Sequence, residues 1–316
     1  MAITDATFIG RSLTGRLFST SITAATVAIA VALMLVLLGM RDAGRQAFER
    51  GYGNMHMLIT KEDSALVSML NSVYYAGAPR RALSAEEFTR LEASAPWDWF
   101  IPTQIGDSYR NRPVMATTRA FFEAFVPAPN IPWELAEGRF FSDTFEIVVG
   151  ADAARGTGLR VGDTISLTHG APGPGGRLPD GAHAHDEFTY TVVGILAPTG
   201  SAHDRALFST LEGSWVLHAH DRRLAESGPG ISLTTTADLL DRDRLVTGIY
   251  ARLITREGRT IPANLQQVFD QLRRDPTVTV AQPFQEINAL FQIVGNIDRI
   301  IIGLAAVVLV SSGIGI

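Results

Sequence analysis

Six of the seven histidines in this chain fall between residues 169 and 220: His169, His183, His185, His203, His218 and His220, with only His56 outside. In His183-Ala184-His185 an extended backbone puts both imidazoles on one face. Two neutral imidazoles so placed can bind zinc or copper. No third ligand is identifiable from the sequence, so it assigns no metal site. His183 and His185 are its candidate metal pair, and solvent-exposed loop histidines are the competing expectation. His218-Ala219-His220 falls on an expected helix, where positions i and i+2 diverge, so those two rings are not expected to act together. Asp204-Arg205 and the run Asp241 to Arg244 (DRDR) are expected as solvated surface pairs worth under ~1 kcal/mol.

No other constellation carries chemistry. Lys61 is the single lysine and follows Thr60, so no G-x-x-x-x-G-K-[ST] phosphate loop exists in this sequence and any ATP chemistry must sit elsewhere. H-E-x-x-H, G-x-S-x-G and a strand-following G-x-G-x-x-G are also absent from the sequence, which leaves metalloprotease, hydrolase and dinucleotide chemistry without an anchor. Zero cysteines remove disulfides, a thiolate nucleophile and Cys-bearing zinc or iron–sulfur sites. The expectation is therefore a non-enzyme, with no catalytic residues and no cofactor of its own. A net charge of −5 and a pI near 5.8 lack the basic footprint of a nucleic-acid binder. With 316 residues, 46% apolar and 19% charged, the chain can bury a sizeable core and is neither disordered nor collagenous.

The elements that must carry these residues begin with a membrane span. Between Arg16 and Arg41 lie 24 uncharged residues, and Ile22 to Met40 is apolar apart from two threonines. At ~1.5 Å per residue that run covers about 28 Å, close to the ~30 Å hydrocarbon core and too long for the apolar region of a signal peptide. Arg41 to Arg50 can continue the helix as far as the Gly51-Tyr52-Gly53 punctuation. Pro283 suits a first helical turn, and Ile287, Leu290, Phe291, Val294, Ile297 and Ile301 repeat at helical spacing into a second apolar run, Ile300 to Ile316. That run is shorter than a span and lacks a polar exit, which predicts that the reading frame continues past Ile316. The two helices are expected to form a stalk. Ala24, Ala28 and Ala32 form a small-residue stripe on the first. Charges flanking it (Arg11 and Arg16 before, Arg41, Arg45 and Arg50 after) leave the orientation undecided.

Between the spans, Met55–Thr60 reads as a strand, Ser84 to Glu87 as a capping box opening a helix, Ile249–Thr255 as a strand, Pro262–Arg274 as a helix and Val278–Ala281 as a strand. This points to an α+β subdomain built from both flanks, residues 41–105 and 230–296, with a β-rich insertion at 106–229. Inside the insertion, Glu146–Gly150 is an expected strand, Ala151–Leu159 a short helix, Val161-Gly162-Asp163 a turn into a strand over Thr164–Thr168, and Phe188–Leu196 a strand of clear period two. Gly170 to Gly181 reads as an exposed loop.

Four stretches resemble the permease subunits of MacB/FtsX-type ABC transporters: Ser12 to Leu33, Leu135 to Phe141 (LAEGRFF), Glu146 to Leu167 (EIVVGADAARGTGLRVGDTISL) and Phe188 to Phe208 (FTYTVVGILAPTGSAHDRALF). The resemblance implies an α+β membrane protein, with transmembrane helices flanking a large extracytoplasmic domain. Residues 1–20 become a cytoplasmic amphipathic segment, 21–40 the first span, 41–296 the periplasmic domain and 297–316 the start of the second span. It further implies a multi-pass protein of the bacterial inner membrane that couples a separate ABC ATPase, which holds the ATP, to movement of the outer domain in export or mechanotransmission. Its implied partners are that ATPase, a second copy or paired permease, membrane lipid, and a periplasmic adaptor or lipoprotein, but no nucleic acid. A membrane receptor, such as a sensor kinase or chemoreceptor with an extracytoplasmic ligand-sensing domain, shares this layout up to Ile316 and is the alternative.

Overall fold

The computed structural model describes residues 14–128, 131–170, 181–228 and 230–314. Two compact units emerge: residues 1–46 with 288–316, and residues 47–287.

The first unit is helical. Helix α1, Leu17–Tyr52, is one uninterrupted helix of 36 residues, of which this unit holds the portion up to Gln46. Among the described residues it is the one helix long and apolar enough to cross a membrane. Its large apolar side chains, Ile22, Ile29, Leu33, Leu35 and Val36 among them, are exposed, as a lipid-facing surface requires. Thr23 and Thr26 donate their hydroxyls to the carbonyls of Ser19 (3.1 Å) and Ile22 (2.9 Å), which removes unsatisfied polar groups from the apolar run. Ala24, Ala28 and Ala32 are exposed. Within this unit Arg45 donates to Asn288 (3.0 Å) on the last helix, which runs Pro283–Ile314.

The second unit is a mixed α+β fold on one sheet. Its strands are β1 Met57–Thr60, β2 Trp97–Tyr109, β3 Arg112–Thr117, β4 Leu135–Gly138, β5 Glu146–Val149, β6 Thr164–Ile165, β7 Thr168–His169, β8 Tyr190–Leu196, β9 Leu207–Thr210, β10 Gly248–Leu253 and β11 Thr279–Ala281. They are ordered β11-β1-β10-β2-β3-β9-β5-β8-β4, with β6 beside β8 and β7 beside β2. The β3–β9 and β5–β8 pairs are parallel and the remainder antiparallel. Chain flanks meet at one end: β1, near the start, lies between β10 and β11 from the end.

Helices α2 Ala65–Ser72, α3 Ala85–Glu92, α4 Ala120–Glu123, α5 Ala151–Thr157, α6 Leu211–Ser227 and α7 Leu265–Arg273 pack on the sheet, and Pro283–Ile314 is α8. One core cluster joins Met57, Ile59, Leu91, Ile249, Phe269 and Leu272; a second joins Val114, Ile147, Val149, Tyr190, Leu207 and Leu217. Phe121, Phe125, Trp133 and Phe208 surround His203, and Tyr250 packs on Phe121.

Local signals explain most of these elements. Ser84 accepts from the Glu87 amide (3.2 Å) and Glu87 from the Ser84 amide (2.8 Å), the capping box that starts α3. Gly162, at φ +96°, turns the chain between α5 and β6. Three expectations change. The strand expected over Thr164–Thr168 is two short strands, because β6 pairs with β8 while β7 turns to β2. Helix α7 begins at Leu265 rather than Pro262, whose carbonyl instead accepts from Leu265 in a turn (3.2 Å). Asp204 and Asp243 are buried rather than solvated. Asp204 accepts from the Thr199 amide (2.9 Å), the Thr199 hydroxyl (2.7 Å) and the Gly200 amide (2.8 Å). Asp243 takes a two-pronged pair from Arg222, 2.7 Å and 2.9 Å. Their partners come from other segments, so sequence neighbours misled. Most of the loop expected at Gly170 to Gly181 lies outside the described residues.

Candidate metal centre

Strand β2 determines where the site forms. Its register against β3 slips between Ile105 and Asp107, a bulge with Gly106 as the extra residue. Strict alternation would put Asp107 on the face opposite Gln104; the extra residue turns both to one face. That face is covered by α6, where His218 and Asp221 stand three residues apart on one side of the helix. The Asp107 carboxylate lies 3.3 Å from His218 Nε2, and Gln104 Nε2 lies 3.1 Å from His218 Nδ1.

Strand β7 adds the next ligand type. His169 pairs directly with Asp107 across the ladder, and its Nδ1 is 3.6 Å from Asp107 Oδ1. Residues 183–185 then lie antiparallel to the 167–169 segment: His169 N–H donates to His183 O (2.8 Å), His185 N–H to Leu167 O (2.9 Å), and Thr168 bridges Ala184. The extended backbone sends both imidazoles to one side, with ring centroids 4.9 Å apart. His185 is 2% exposed; its Nε2 lies 4.0 Å from Asp107 Oδ1 and its Nδ1 3.6 Å from Asp221 Oδ1. His183 Nε2 lies 3.4 Å from Asp221 Oδ2, with half the side chain exposed.

Four imidazoles and two carboxylates thus form one cluster. His169, His183, His218 and Asp221 line a cavity of about 620 Å³. Donor atoms of Asp107, His169 and His185 lie within 4.8 Å of one another, as do those of His183, His185 and Asp221. His169 Nδ1 and His185 Nε2 are buried without a hydrogen-bond partner, an arrangement that costs free energy unless something accepts those lone pairs or protons.

The electrostatics agree with the geometry. Burial works to raise the Asp107 carboxyl, yet the adjoining His218, His169 and His185 hold it well below the usual carboxylate range. His218 is raised: burial opposes its charged form, and Asp107 outweighs that. Desolvation lowers His185 despite Asp221 and Asp107, which disfavours its charged form. His183 is raised by the Gly181 carbonyl and by Asp221.

Both candidates from sequence therefore stand in the cluster, and the missing ligand types are supplied by Asp107, His169, His218 and Asp221. No local spacing announces these four, which come from two strands and a helix. His220 points away, as expected for i+2, to Thr234 (3.0 Å) and Phe188. His203 is in the aromatic core, and His56 bridges the Thr260 carbonyl and the Leu253 amide.

Comparison with known proteins adds a family. A family model, the MacB-like periplasmic core domain, matches residues 20–283. Among solved structures, the extracellular domain of the noncanonic ABC-type transporter YknZ from Gram-positive bacteria is similar at 8% identity and a TM-score of 0.35, covering 72% of this chain and 98% of its own. A domain assigned to a permease protein from Porphyromonas gingivalis is similar at 14% identity and a TM-score of 0.33, covering 72% and 89%. No curated protein matches.

Proposed function

From the premise that this chain belongs to the family of MacB-like periplasmic core domains, we propose that it is the permease subunit of an ABC transporter complex. The observation that carries this is continuity: the matched region opens within α1, so the family's domain is joined to an apolar, membrane-length helix without a linker. At ~1.5 Å per residue α1 extends about 54 Å, well beyond the ~30 Å hydrocarbon core, and can leave the membrane still helical. The domain then lies outside the cytoplasm, with the N-terminus inside and α8 leading back into the bacterial inner membrane as one of several further spans. ATP hydrolysis belongs to a separate ABC ATPase, and this chain moves the outer domain in response, as half of a homodimer or permease pair in contact with membrane lipid. It performs no catalysis and holds no nucleotide. A periplasmic adaptor or lipoprotein is the natural recipient of that movement.

Two measurements test the proposal. Because the chain has no cysteine, a single cysteine reports on one position cleanly. A membrane-impermeant maleimide applied to spheroplasts is expected to label Ser227→Cys and spare Gly15→Cys; the reverse pattern would overturn the orientation. The detergent-purified chain is expected to hydrolyse no ATP until its co-purifying ATPase is added. Intrinsic hydrolysis would remove the permease reading, and a chain that recruits no ATPase at all would favour a membrane receptor.

A further inference from the structure

We propose that Asp107, His169 and His185 bind one divalent transition-metal ion, with zinc as the reference probe, on the α6-covered face of the sheet. The inference rests on this cluster alone and is independent of the permease reading.

The first argument is the state of the donors. His185 is 2% exposed and Asp107 3% exposed, and the Nε2 of His185 has no hydrogen-bond partner although it is aimed at the carboxylate. His169 Nδ1 is equally unpartnered and faces the same oxygen. Two orphaned ring nitrogens converging on one buried carboxylate oxygen, at 3.6 Å and 4.0 Å, have a simple common solution. Donors around a tetrahedral zinc at ~2.0–2.2 Å stand a little over 3 Å apart, so small rotations of the two rings close the set.

The second argument is the surrounding shell. A metal-bound imidazole ordinarily gives its other N–H to a carboxylate, which fixes its tautomer. Asp221 stands 3.6 Å from the Nδ1 of His185 in that role. Asp107 is in turn held by His218 at 3.3 Å, and His218 by Gln104 at 3.1 Å. His183 and Asp221 form the mouth of the pocket. The ligand chemistry selects the ion: two imidazoles and one carboxylate suit zinc, copper, nickel or cobalt, whereas calcium and magnesium require oxygen sets. Three protein ligands leave at least one coordination position for water or another donor.

The test uses the full detergent-solubilised chain, stripped with a chelator and titrated with zinc against a chromogenic competitor. Binding of one equivalent with sub-micromolar affinity is expected, and cobalt substitution is expected to give the visible absorption of a low-symmetry, four-coordinate site. His185→Ala and Asp107→Asn are each expected to lose about 100-fold or more, and Asp221→Asn about 10-fold, the scale of an outer partner. His169→Ala guards against misfolding, because that ring is nearly half exposed and its loss should abolish tight binding while leaving the thermal transition of the metal-free protein within a few degrees. His183→Ala is expected to change affinity only a few-fold. Failure to bind zinc below micromolar concentrations would overturn the proposal. So would unchanged affinity in His169→Ala, or a loss in His183→Ala as large as in His185→Ala, which would move the ion to the His183, His185 and Asp221 set.

Discussion

His203 shows how one buried side chain ties stability to pH. Burial pushes its pKa down to about 4, despite the carbonyl of Gly51 2.9 Å from Nε2; the Tyr75 hydroxyl lies 2.8 Å from Nδ1. In the unfolded chain the same ring titrates near ~6.5. The unfolded state therefore binds the extra proton first, and folding stability falls as pH drops from about 6.5 to about 4. The full effect is on the order of 3 kcal/mol at ~1.36 kcal/mol per unit. Urea unfolding at several pH values should show this slope in the native chain and a shallower one in His203→Gln; equal slopes would place the sensitivity elsewhere. At this scale the sequence disclosed residue types but not their surroundings. His183 and His185 were legible as a pair from the period of an extended chain, whereas His203 looked like any other histidine of the insertion. Asp204 and Asp243 read as surface charges because their partners, Thr199 and Arg222, come from outside the pairs.

Elements carried more of their own explanation. Helix α3 was visible from Ser84 and Glu87, and strand β8 from alternation alone, because both signals are local. The bulge in β2 left no such mark, since Gly106 in a strand is compatible with several distortions, yet it decides on which face Asp107 stands. Signature stretches prove structural as well: Gly138, at φ +78°, lies where a Cβ would meet the Val193 carbonyl, and Arg139 pairs with Glu146. Helix α6 is held just as tightly. A Cβ on Gly213 would lie 2.4 Å from the Thr144 carbonyl and 2.9 Å from the Tyr190 hydroxyl. Alanine normally favours a helix by about 1 kcal/mol over glycine, but overpacking against backbone costs typically 1–3 kcal/mol. Gly213→Ala is therefore expected to lower stability by up to about 2 kcal/mol in urea unfolding, and, by shifting α6 with His218 and Asp221, to weaken zinc binding as well. A stabilised variant would mean that the helix is free to move.

At the scale of the whole molecule, residues 47–287 form their own compact unit with their own cores. Expressed alone, that fragment is expected to be soluble and to unfold in one cooperative step, while the full chain partitions with membranes. An insoluble or multi-step fragment would show that the outer helices are needed to complete the core. The apolar run and the meeting of the chain's flanks in one sheet were legible because hydropathy and element order survive in sequence; the continuity of that sheet across β2 and β3 was not, because pairing over such separations leaves no local pattern. The end of α1 is fastened inside this unit. Its last turn gives two carbonyls to the domain, Phe48 to the Tyr74 hydroxyl at 2.6 Å and Gly51 to His203 at 2.9 Å. Gly51 has no room even for a methyl group, since a Cβ would sit 2.4 Å from the Tyr74 ring. The helix end is thus held by two bonds to carbonyls three residues apart and by a tight ring contact, all within the unit of residues 47–287. That last turn therefore belongs to the aromatic core and is expected to unfold with it.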